Sequence, residues 1–267
     1  MVQIKDYVAL KKDELKKRIL LLPKKPTLKI IQVNDDYASN SYIKGKIKDL
    51  NEIGANPILE KLSPFTSQAE LLKIIDETNK DRNVNGFIVQ LPLPKQIDEN
   101  VVKCAIDPKK DLDGFNPLTK FKSATPKGIL TYLKDQGYDF KGKNCLIIGR
   151  SNIVGKPMAK YLLDEDMTVT VAHSKTPLDN LKLFVQNADL IIVAVGKHEF
   201  LNKTFTFKKT AFVIDVGINR DKDNHLVGDC EKDLPVSYQS PVPGGVGLLT
   251  RLALLINLVE GCEKYGL

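Results

Sequence analysis

Short apolar runs rich in β-branched residues alternate along this chain with segments of helical periodicity. Most of the runs are continuously apolar, which indicates strands buried on both faces. Strands of this kind separated by helices form a parallel sheet wrapped by helices, so the pattern predicts an α/β fold. The runs are LKIIQV (28–33), NPILEKL (56–62), GFIVQLPLP (86–94), NCLIIG (144–149), TVTVAHS (168–174), LIIVAVG (190–196) and AFVIDVG (211–217).

Capping residues bound several of the expected helices. Ser39 is the expected N-cap of a helix that runs to Gly54, and Ser67 with Glu70 makes a capping box for the next helix. A long helix is expected over 247–262. The polar, turn-rich stretch DGFNPLTKFKSATP separates two groups of strands and helices, so we expect two domains that join near 115–125.

The composition excludes several classes of protein. No apolar stretch approaches the roughly 18 residues of a membrane span, and the charged N-terminal segment has no signal-peptide core. The four cysteines are far apart, which argues against a disulfide framework or zinc site and favours a reducing cytoplasm. The net charge of +7 comes from scattered lysines, so we expect solvated helix surfaces or anionic small-molecule partners rather than nucleic acid.

A glycine-bearing turn follows the strand at 144–149. It reads Gly149-Arg150-Ser151 and continues to Gly155, after which a helix begins, although it lacks the standard GxGxxG spacing. Glycine at a strand end permits close approach of a phosphate, and a helix N-terminus favours an anion. The pattern indicates either a dinucleotide site or an ordinary βα turn.

The next strand indicates which dinucleotide would bind. In NAD-binding folds a carboxylate at the end of the second strand binds the ribose hydroxyls. Here the strand ends Ala172-His173-Ser174-Lys175, with no acid. A carboxylate would repel a 2′-phosphate, whereas Ser174 and a nearby cation would accept one, so NADP is favoured over NAD. His173 is expected to make a structural hydrogen bond rather than to act in catalysis.

Four polar residues of the first group of elements are candidates for acid–base chemistry. Tyr42 and Lys46 are four residues apart on an expected helix and share one face. Gln90 lies in an otherwise apolar strand, where a buried amide needs partners, and Asp113 lies in a turn. Taken singly, each is also compatible with an ordinary surface or turn role. Together they would line the carboxyl edge of one sheet, where ligands bind.

Together with the loop Ser240-Pro-Val-Pro-Gly-Gly-Val-Gly247, these motifs resemble the family of bifunctional methylenetetrahydrofolate dehydrogenase/methenyltetrahydrofolate cyclohydrolases. The matching stretches occur in the family's order and span nearly the whole chain. They are ASNSYIKGK (38–46), NGFIVQLPLP (85–94), KDLDGFNP (110–117), TPKGI (125–129), IIGRSNIVGKPMA (147–159), TVTVAHSKT (168–176), ADLIIVAVGK (188–197), VIDVGIN (213–219) and PVPGGVG (241–247).

The resemblance implies two domains and two activities. An N-terminal α/β catalytic domain would comprise residues 1–118 with the returning C-terminal helix at 245–267. A Rossmann-like NADP-binding domain would comprise 119–244. The enzyme would oxidise 5,10-methylenetetrahydrofolate with NADP and hydrolyse the methenyl product to 10-formyltetrahydrofolate, in one-carbon metabolism. A cytoplasmic homodimer is implied as well.

The resemblance also implies roles in the first domain. Lys46 would be the acid/base of the hydrolysis and Gln90 would hold and tune it. Tyr42 would stack on the folate ring system, and Asp113 would bind the polar edge of the pterin. The substrate would also border the loop residues Pro243, Gly244 and Gly245.

The second domain would carry the cofactor. Gly149, Arg150 and Ser151 would hold the NADP phosphates. Ser174 would lie at the 2′-phosphate, and Ile218 would lie beside the nicotinamide. No metal is implied.

The chain departs from the family pattern at several positions. After PVPGGVG the family usually continues Pro-Met-Thr, whereas here Leu248-Leu249-Thr250 is followed by Arg251, and Asn116 stands at a usual histidine. None of these changes removes a residue with a named chemical role. A single-activity dehydrogenase and a non-catalytic dinucleotide-binding sensor are the alternatives, and the intact catalytic positions disfavour both.

Overall fold

A computed structural model describes the whole chain, residues 1–267, and confirms the α/β class. The helices are α1 (Ile4–Ile19), α2 (Tyr37–Ile53), α3 (Gln68–Lys80), α4 (Glu99–Ala105), α5 (Ala124–Asp135), α6 (Gly155–Leu163), α7 (Leu178–Asn187) and α8 (Val246–Tyr265). The strands are β1 (Thr27–Gln32), β2 (Asn56–Lys61), β3 (Gly86–Gln90), β4 (Asn144–Ile148), β5 (Thr168–Ala172), β6 (Leu190–Val193), β7 (Phe212–Asp215), β8 (Asn219–Arg220), β9 (Leu226–Val227) and β10 (Tyr238–Gln239). No helix has the length and apolar character needed to cross a membrane.

The chain folds into two compact units, which we name by their sheets. The three-stranded unit comprises Val8–Ala124 and Arg251–Leu267, and the five-stranded unit comprises Met1–Tyr7 and Thr125–Thr250. The chain passes from one unit to the other inside α1, at the start of α5 and inside α8.

The three-stranded unit is built on a parallel sheet in the order β2-β1-β3. All five residues of β3 are buried, as the continuous apolar run predicts. Apolar side chains of α3 and α4, such as Ile75 and Val102, form one core cluster with Ile31 and Phe87 of the sheet. Gln32 and Gln90 are register partners at the carboxyl ends of β1 and β3, so this sheet edge is polar while its interior is apolar.

The C-terminal helix returns to the three-stranded unit, as predicted. Residues 252–259 of α8 are buried without interruption, so the helix is apolar on every side over two turns. The one polar side chain among them, Asn257, donates from Nδ2 to the carbonyl oxygens of Leu112 at 2.8 Å and Lys122 at 3.1 Å. This buried amide fixes the segment before α5 against the helix.

The five-stranded unit is a parallel sheet in the order β10-β7-β6-β4-β5, which is a Rossmann-like, doubly wound arrangement. After β4 the chain adds β5 on one side and then β6 on the other. The strand order therefore reverses between β4 and β6, which is the point where open α/β sheets bind ligands.

Two capping predictions had different outcomes. Ser67 and Glu70 form the expected capping box at α3. Ser39 is not a cap: it lies inside α2, and the N-cap is Asp36, whose carboxylate accepts from the Ser39 backbone N–H at 2.9 Å. The sequence analysis did not predict α4, α7 or the short β8–β9 hairpin.

Candidate functional site

The Lys46 amine lies buried at the polar edge of the three-stranded unit. Its side chain is 4 % exposed, and Nζ donates to Oε1 of Gln90 at 3.0 Å. Nε2 of Gln90 donates to the Leu91 carbonyl at 2.7 Å, which turns the amide oxygen toward the amine. Nζ is also 5.0 Å from the ring centroid of Tyr42, one turn earlier on α2. The structure therefore brings Tyr42, Lys46 and Gln90 together.

The surroundings of Lys46 favour its neutral form. Burial is the main cause that lowers the pKa of the amine below its ordinary value, because a buried charge loses its hydration. The Asp113 carboxylate opposes this by raising the pKa, and the Arg251 guanidinium adds to it by lowering the pKa. An amine of this kind can accept and return a proton near neutral pH.

Asp113 lies on a turn that is shaped by its neighbour Asp111. The fully buried Asp111 carboxylate accepts from the backbone N–H groups of Gly114 at 3.1 Å, Phe115 at 2.7 Å and Asn116 at 2.6 Å. Burial raises the pKa of Asp111 to about 6. The turn presents Asp113 to Lys46, and the two side chains interact electrostatically. Of the two carboxylates of this turn, Asp111 orders the backbone and Asp113 interacts with the amine.

Burial also raises the pKa of Asp113, while the cations of Lys46 and Lys103 lower it. Lys103, on α4, is 9 % exposed; its Nζ pairs with Glu99 and lies 5.1 Å from the ring centroid of Phe115. Lys103 was not predicted as a site residue, because its helix α4 was not predicted from the sequence.

The departure at Asn116 has a structural explanation. This buried side chain donates from Nδ2 to the Ile106 carbonyl at 2.8 Å and accepts from the Leu118 backbone N–H at 2.8 Å. It therefore joins the end of α4 to the turn that carries Asp113.

The carboxyl ends of the strands in the five-stranded unit form a second edge. Ile148, Ala172 and Val193 are register partners on β4, β5 and β6, so the loops that follow these strands begin at the same level. Gly149, Ser174 and Ile218 all lie on loops of this edge. The structure thus brings the predicted cofactor residues to one side of the sheet.

The Gly149 turn is tightly packed on the backbone. Gly149 has φ +124°, and a Cβ there would lie 2.3 Å from the carbonyl oxygen of Ala194. A Cβ on Gly155 would lie 2.2 Å from the Gly149 carbonyl oxygen. Only glycine fits at both positions, which lets α6 begin directly against the strand end.

The N-terminus of α6 is suited to an anion. Ser151 Oγ accepts from the backbone N–H groups of Val154 at 3.1 Å and Gly155 at 3.4 Å, and the first turn of α6 contains no acidic residue. Arg150 and Ser151 are exposed beside it. The partial positive charge of the helix end and the Arg150 guanidinium therefore both favour a phosphate here.

The end of β5 contains no carboxylate. Ser174 is exposed there, and Lys175 follows it. Nδ1 of His173 accepts from the Lys175 backbone N–H at 3.2 Å, and the His173 backbone N–H donates to Thr176 Oγ1 at 2.9 Å. His173 therefore closes this turn.

A buried carboxylate that the sequence analysis missed holds the loop after β6. Asp229 is 0 % exposed and accepts from the backbone N–H groups of Val195 at 2.7 Å, Gly196 at 3.0 Å and Lys197 at 2.8 Å. Asn219 Nδ2 donates to it at 2.8 Å. No sequence motif marks Asp229, because the three backbone N–H groups that it accepts from lie more than 30 residues earlier in the chain.

Ile218 and the glycine-rich loop complete the predicted residues. Ile218 is 66 % exposed, which leaves an apolar surface at the strand edge. Pro243 follows a cis peptide bond and Gly244 has φ +93°. A Cβ on Gly245 would lie 2.1 Å from the Pro241 carbonyl oxygen. Pro243, Gly244 and Gly245 belong to the five-stranded unit, whereas Lys46, Tyr42, Gln90 and Asp113 belong to the three-stranded unit.

Two models of one protein family match most of the chain. Residues 3–113 match the family described as tetrahydrofolate dehydrogenase/cyclohydrolase, catalytic domain, and residues 123–265 match its NAD(P)-binding domain. A curated relative, the bifunctional protein FolD of Campylobacter concisus, is 47 % identical over 98 % of this chain and 94 % of its own.

Solved structures show the same similarity. The bifunctional FolD dehydrogenase/cyclohydrolase of Campylobacter jejuni superposes with a TM-score of 0.94 at 38 % identity, covering 98 % of each chain. The FolD of Trypanosoma brucei, complexed with NADP cofactor and an inhibitor, superposes with a TM-score of 0.93 at 28 % identity. It covers all of this chain and 98 % of its own.

Proposed function

The chain belongs to the tetrahydrofolate dehydrogenase/cyclohydrolase family, and from this premise we propose which residues carry each of its two reactions. The protein is a bifunctional enzyme of one-carbon metabolism. It oxidises 5,10-methylenetetrahydrofolate with NADP to the 5,10-methenyl form and hydrolyses that product to 10-formyltetrahydrofolate. Our proposal for its residues is carried by the buried Lys46 amine. This amine donates a hydrogen bond to Gln90, its pKa is lowered by burial, and the Asp113 carboxylate raises that pKa.

NADP is the cofactor, and the edge of the five-stranded unit fits it. The glycine-lined turn and the α6 N-terminus, which has no acidic residue in its first turn, suit a pyrophosphate, so we assign it to Gly149, Arg150 and Ser151. The exposed Ser174, with no acid beside it, suits the 2′-phosphate, and exposed Ile218 suits the face of an aromatic ring. When bound, the cofactor accepts the hydride.

The oxidation requires no protein base. Loss of a hydride from the methylene carbon leaves a cation that the two flanking nitrogens of the folate stabilise. The role of the chain in this step is to orient the substrate and exclude water. We propose that the Tyr42 ring stacks on the folate ring system and that Asp113 binds the polar edge of the pterin. Pro243, Gly244 and Gly245 would border the substrate.

The hydrolysis does require proton transfer. As water attacks the methenyl carbon, the neutral Lys46 amine takes its proton, and Gln90 holds the amine in place. The protonated amine then delivers a proton to the ring nitrogen as its bond to that carbon breaks. The carbon keeps the water oxygen as a formyl group, and one proton is released overall. The lowered pKa of Lys46 makes both transfers accessible near neutral pH.

We assign folate chemistry to the three-stranded unit and NADP binding to the five-stranded unit. We further propose a cytoplasmic homodimer. The four cysteines are free thiols, which suits a reducing compartment. Exposed apolar side chains of the five-stranded unit, Leu163 and Val171 among them, offer a pairing surface. Light scattering on the purified protein would give about twice the chain mass for a dimer and the single-chain mass for a monomer.

An absorbance time course tests the two activities. The purified protein is mixed with 5,10-methylenetetrahydrofolate and NADP⁺ or NAD⁺, and nicotinamide reduction and the methenyl intermediate are followed together. Reduction with NADP⁺ without methenyl accumulation beyond its spontaneous decay supports the residue roles above. Accumulation of methenyl would overturn the hydrolytic role of Lys46. No reduction with either cofactor would overturn the roles given to the Gly149 turn.

A further inference from the structure

Arg251 is the first residue of α8 that belongs to the three-stranded unit, and its side chain lies against the helix that carries Lys46. A Cβ built on Gly45 would lie 1.8 Å from Nη1 of Arg251 and 2.9 Å from its Cζ. Gly45 precedes Lys46 directly. The guanidinium therefore occupies the space that any other residue at position 45 would fill.

A buried carboxylate forms an ion pair with the guanidinium, although Nε of Arg251 makes no hydrogen bond. Nε of Arg251 lies 2.9 Å from Oδ2 of Asp49, and the Arg251 side chain is 21 % exposed. The other oxygen of Asp49, Oδ1, accepts from Nζ of Lys12 at 2.5 Å. Asp49 is itself 3 % exposed. Nζ of Lys12 also lies 3.0 Å from Oε2 of Glu52, so two cations and two carboxylates form one cluster, which sets the position of the Arg251 charge.

Each element around the Lys46 amine contributes a different group. α2 contributes the Tyr42 ring, β3 contributes the neutral amide of Gln90, the 111–116 turn contributes the Asp113 carboxylate, and α8 contributes the Arg251 cation. Asp113 attracts a proton to the amine, and Arg251 repels it. Burial and these two opposite charges together determine the pKa of the Lys46 amine.

We propose that Arg251 is a positioning residue for the hydrolytic reaction: paired with Asp49 and packed against Gly45, its guanidinium works with burial to favour the neutral form of the Lys46 amine, which accepts a proton from water. This inference rests on the proposed role of Lys46 and adds to it a cation that acts beside burial in favour of the neutral amine.

The pH dependence of hydrolysis separates this role from a purely structural one. In Arg251→Met the apolar stem remains and the charge is lost, so Lys46 holds its proton more tightly. The acid limb of the pH–rate profile, where the hydrolysis rate rises as Lys46 loses its proton, should move to higher pH. The rate should fall several-fold at neutral pH and recover in alkaline buffer. Arg251→Lys keeps a charge and should restore the limb most of the way toward that of the unaltered enzyme.

A glycine substitution tests the same contact without removing the charge. Gly45→Ala should displace the guanidinium and move the limb in the same direction as Arg251→Met. In the Arg251→Met background it should add nothing further. Because this variant keeps every charged residue, it also tests the proposal if Arg251→Met fails to fold.

The matched control is Arg18→Met, which removes another arginine paired with α8, through Glu263, whose Oε2 lies 2.5 Å from Nη2. It should leave the acid limb where it is. Each variant is assayed on 5,10-methenyltetrahydrofolate by absorbance, with the melting temperature and the NADP⁺ reduction rate measured beside it.

Failure of this inference is distinct from failure of the proposed function. If Arg251→Met lowers hydrolysis by one factor at every pH, or if Gly45→Ala leaves the limb in place, Arg251 is structural only. If Lys46→Ala hydrolyses at the full rate, the role of Lys46 itself is wrong, whatever the Arg251 variants do.

Discussion

The two functional edges of this molecule are built from different parts of the polypeptide. In the three-stranded unit, the Lys46 site consists of side chains: an amine, an amide oxygen and a carboxylate, with an arginine behind them. In the five-stranded unit, the cofactor edge consists mainly of backbone: glycines packed against carbonyl oxygens and a helix N-terminus. The first edge works by charge and proton occupancy, and the second works by shape.

The difference determines how each edge should respond to substitution. A side-chain site loses chemistry when one group is removed, while the surrounding fold can remain. A backbone site tolerates changes of exposed side chains but not an added Cβ where two backbone segments touch. Oxidation needs both edges, because the folate binds at the first and NADP at the second, whereas hydrolysis needs only the first. Damage to the cofactor edge should therefore leave hydrolysis measurable, and loss of the Lys46 amine alone should leave oxidation measurable.

Removal of the amine gives the largest expected effect. Lys46→Ala should lower hydrolysis of 5,10-methenyltetrahydrofolate by about 100- to 10,000-fold, the range typical of general acid–base catalysis. NADP⁺ reduction should fall far less, because the oxidation requires no base. Parallel steady-state assays of the two reactions check this. Equal losses in both would mean that Lys46 binds substrate rather than transferring protons.

An added methyl group at the cofactor turn should give the converse result. Gly149→Ala places a Cβ 2.3 Å from the Ala194 carbonyl oxygen at φ +124°. The added Cβ should introduce about 1–3 kcal/mol of backbone strain, and the turn should shift to relieve it. Because the shifted turn fits the cofactor less well, NADP binding should weaken by roughly 10- to 100-fold. Hydrolysis of supplied methenyl substrate should continue. Gly137→Ala, at φ +72° with open space around it, is the control for strain alone and should keep NADP affinity in a fluorescence titration.

A carboxylate introduced at the end of β5 tests whether a side chain at the cofactor edge determines the preference for NADP. Ser174→Glu should repel the 2′-phosphate and lower the preference for NADP over NAD by about tenfold or more. Ser174→Ala, which removes only the hydroxyl, should change the preference less. The ratio of kcat/KM for the two cofactors measures both. An unchanged ratio in Ser174→Glu would place the 2′-phosphate elsewhere.

Asp111 lies between the two kinds of site, because it is a side chain whose role is to order the backbone of the turn. Its raised pKa, about 6, means that the folded chain holds this proton more tightly than the unfolded chain. The resulting stability is complete below the ordinary aspartate value near 4 and is lost as the pH rises through about 6. Between those values the enzyme should therefore lose on the order of 2 kcal/mol more stability than Asp111→Asn. Urea unfolding at several pH values measures the difference, and parallel curves would refute it.

The sequence predicts best what depends on local spacing. Tyr42 and Lys46 share a helix face because they are four residues apart, and the isolated glutamine in β3 needed a polar partner, which proved to be Lys46. The strands were predicted from apolar runs that no helix pattern explains. The family resemblance then joined segments that spacing alone does not connect.

Contacts between distant segments were beyond such reasoning. Arg251 meets Asp49 across about 200 residues of sequence, and Asp229 reaches back to the loop after β6. Neither pairing follows from periodicity or from a motif. The error at Ser39 is of another kind: Asp36 and Ser39 are both good caps, and the choice depended on where the chain turns after β1. Sequence could propose the cap but not that turn.

The hydrogen bonds to Asp229 have a consequence for amide hydrogen exchange in the loop after β6. The buried Asp229 carboxylate accepts from the backbone N–H groups of Val195, Gly196 and Lys197. Hydrogen-bonded amides exchange with deuterium only when those bonds open. Three consecutive amides of a loop should therefore exchange as slowly as those of a strand, and together. Exchange of this kind would make the loop part of the sheet's cooperative unit.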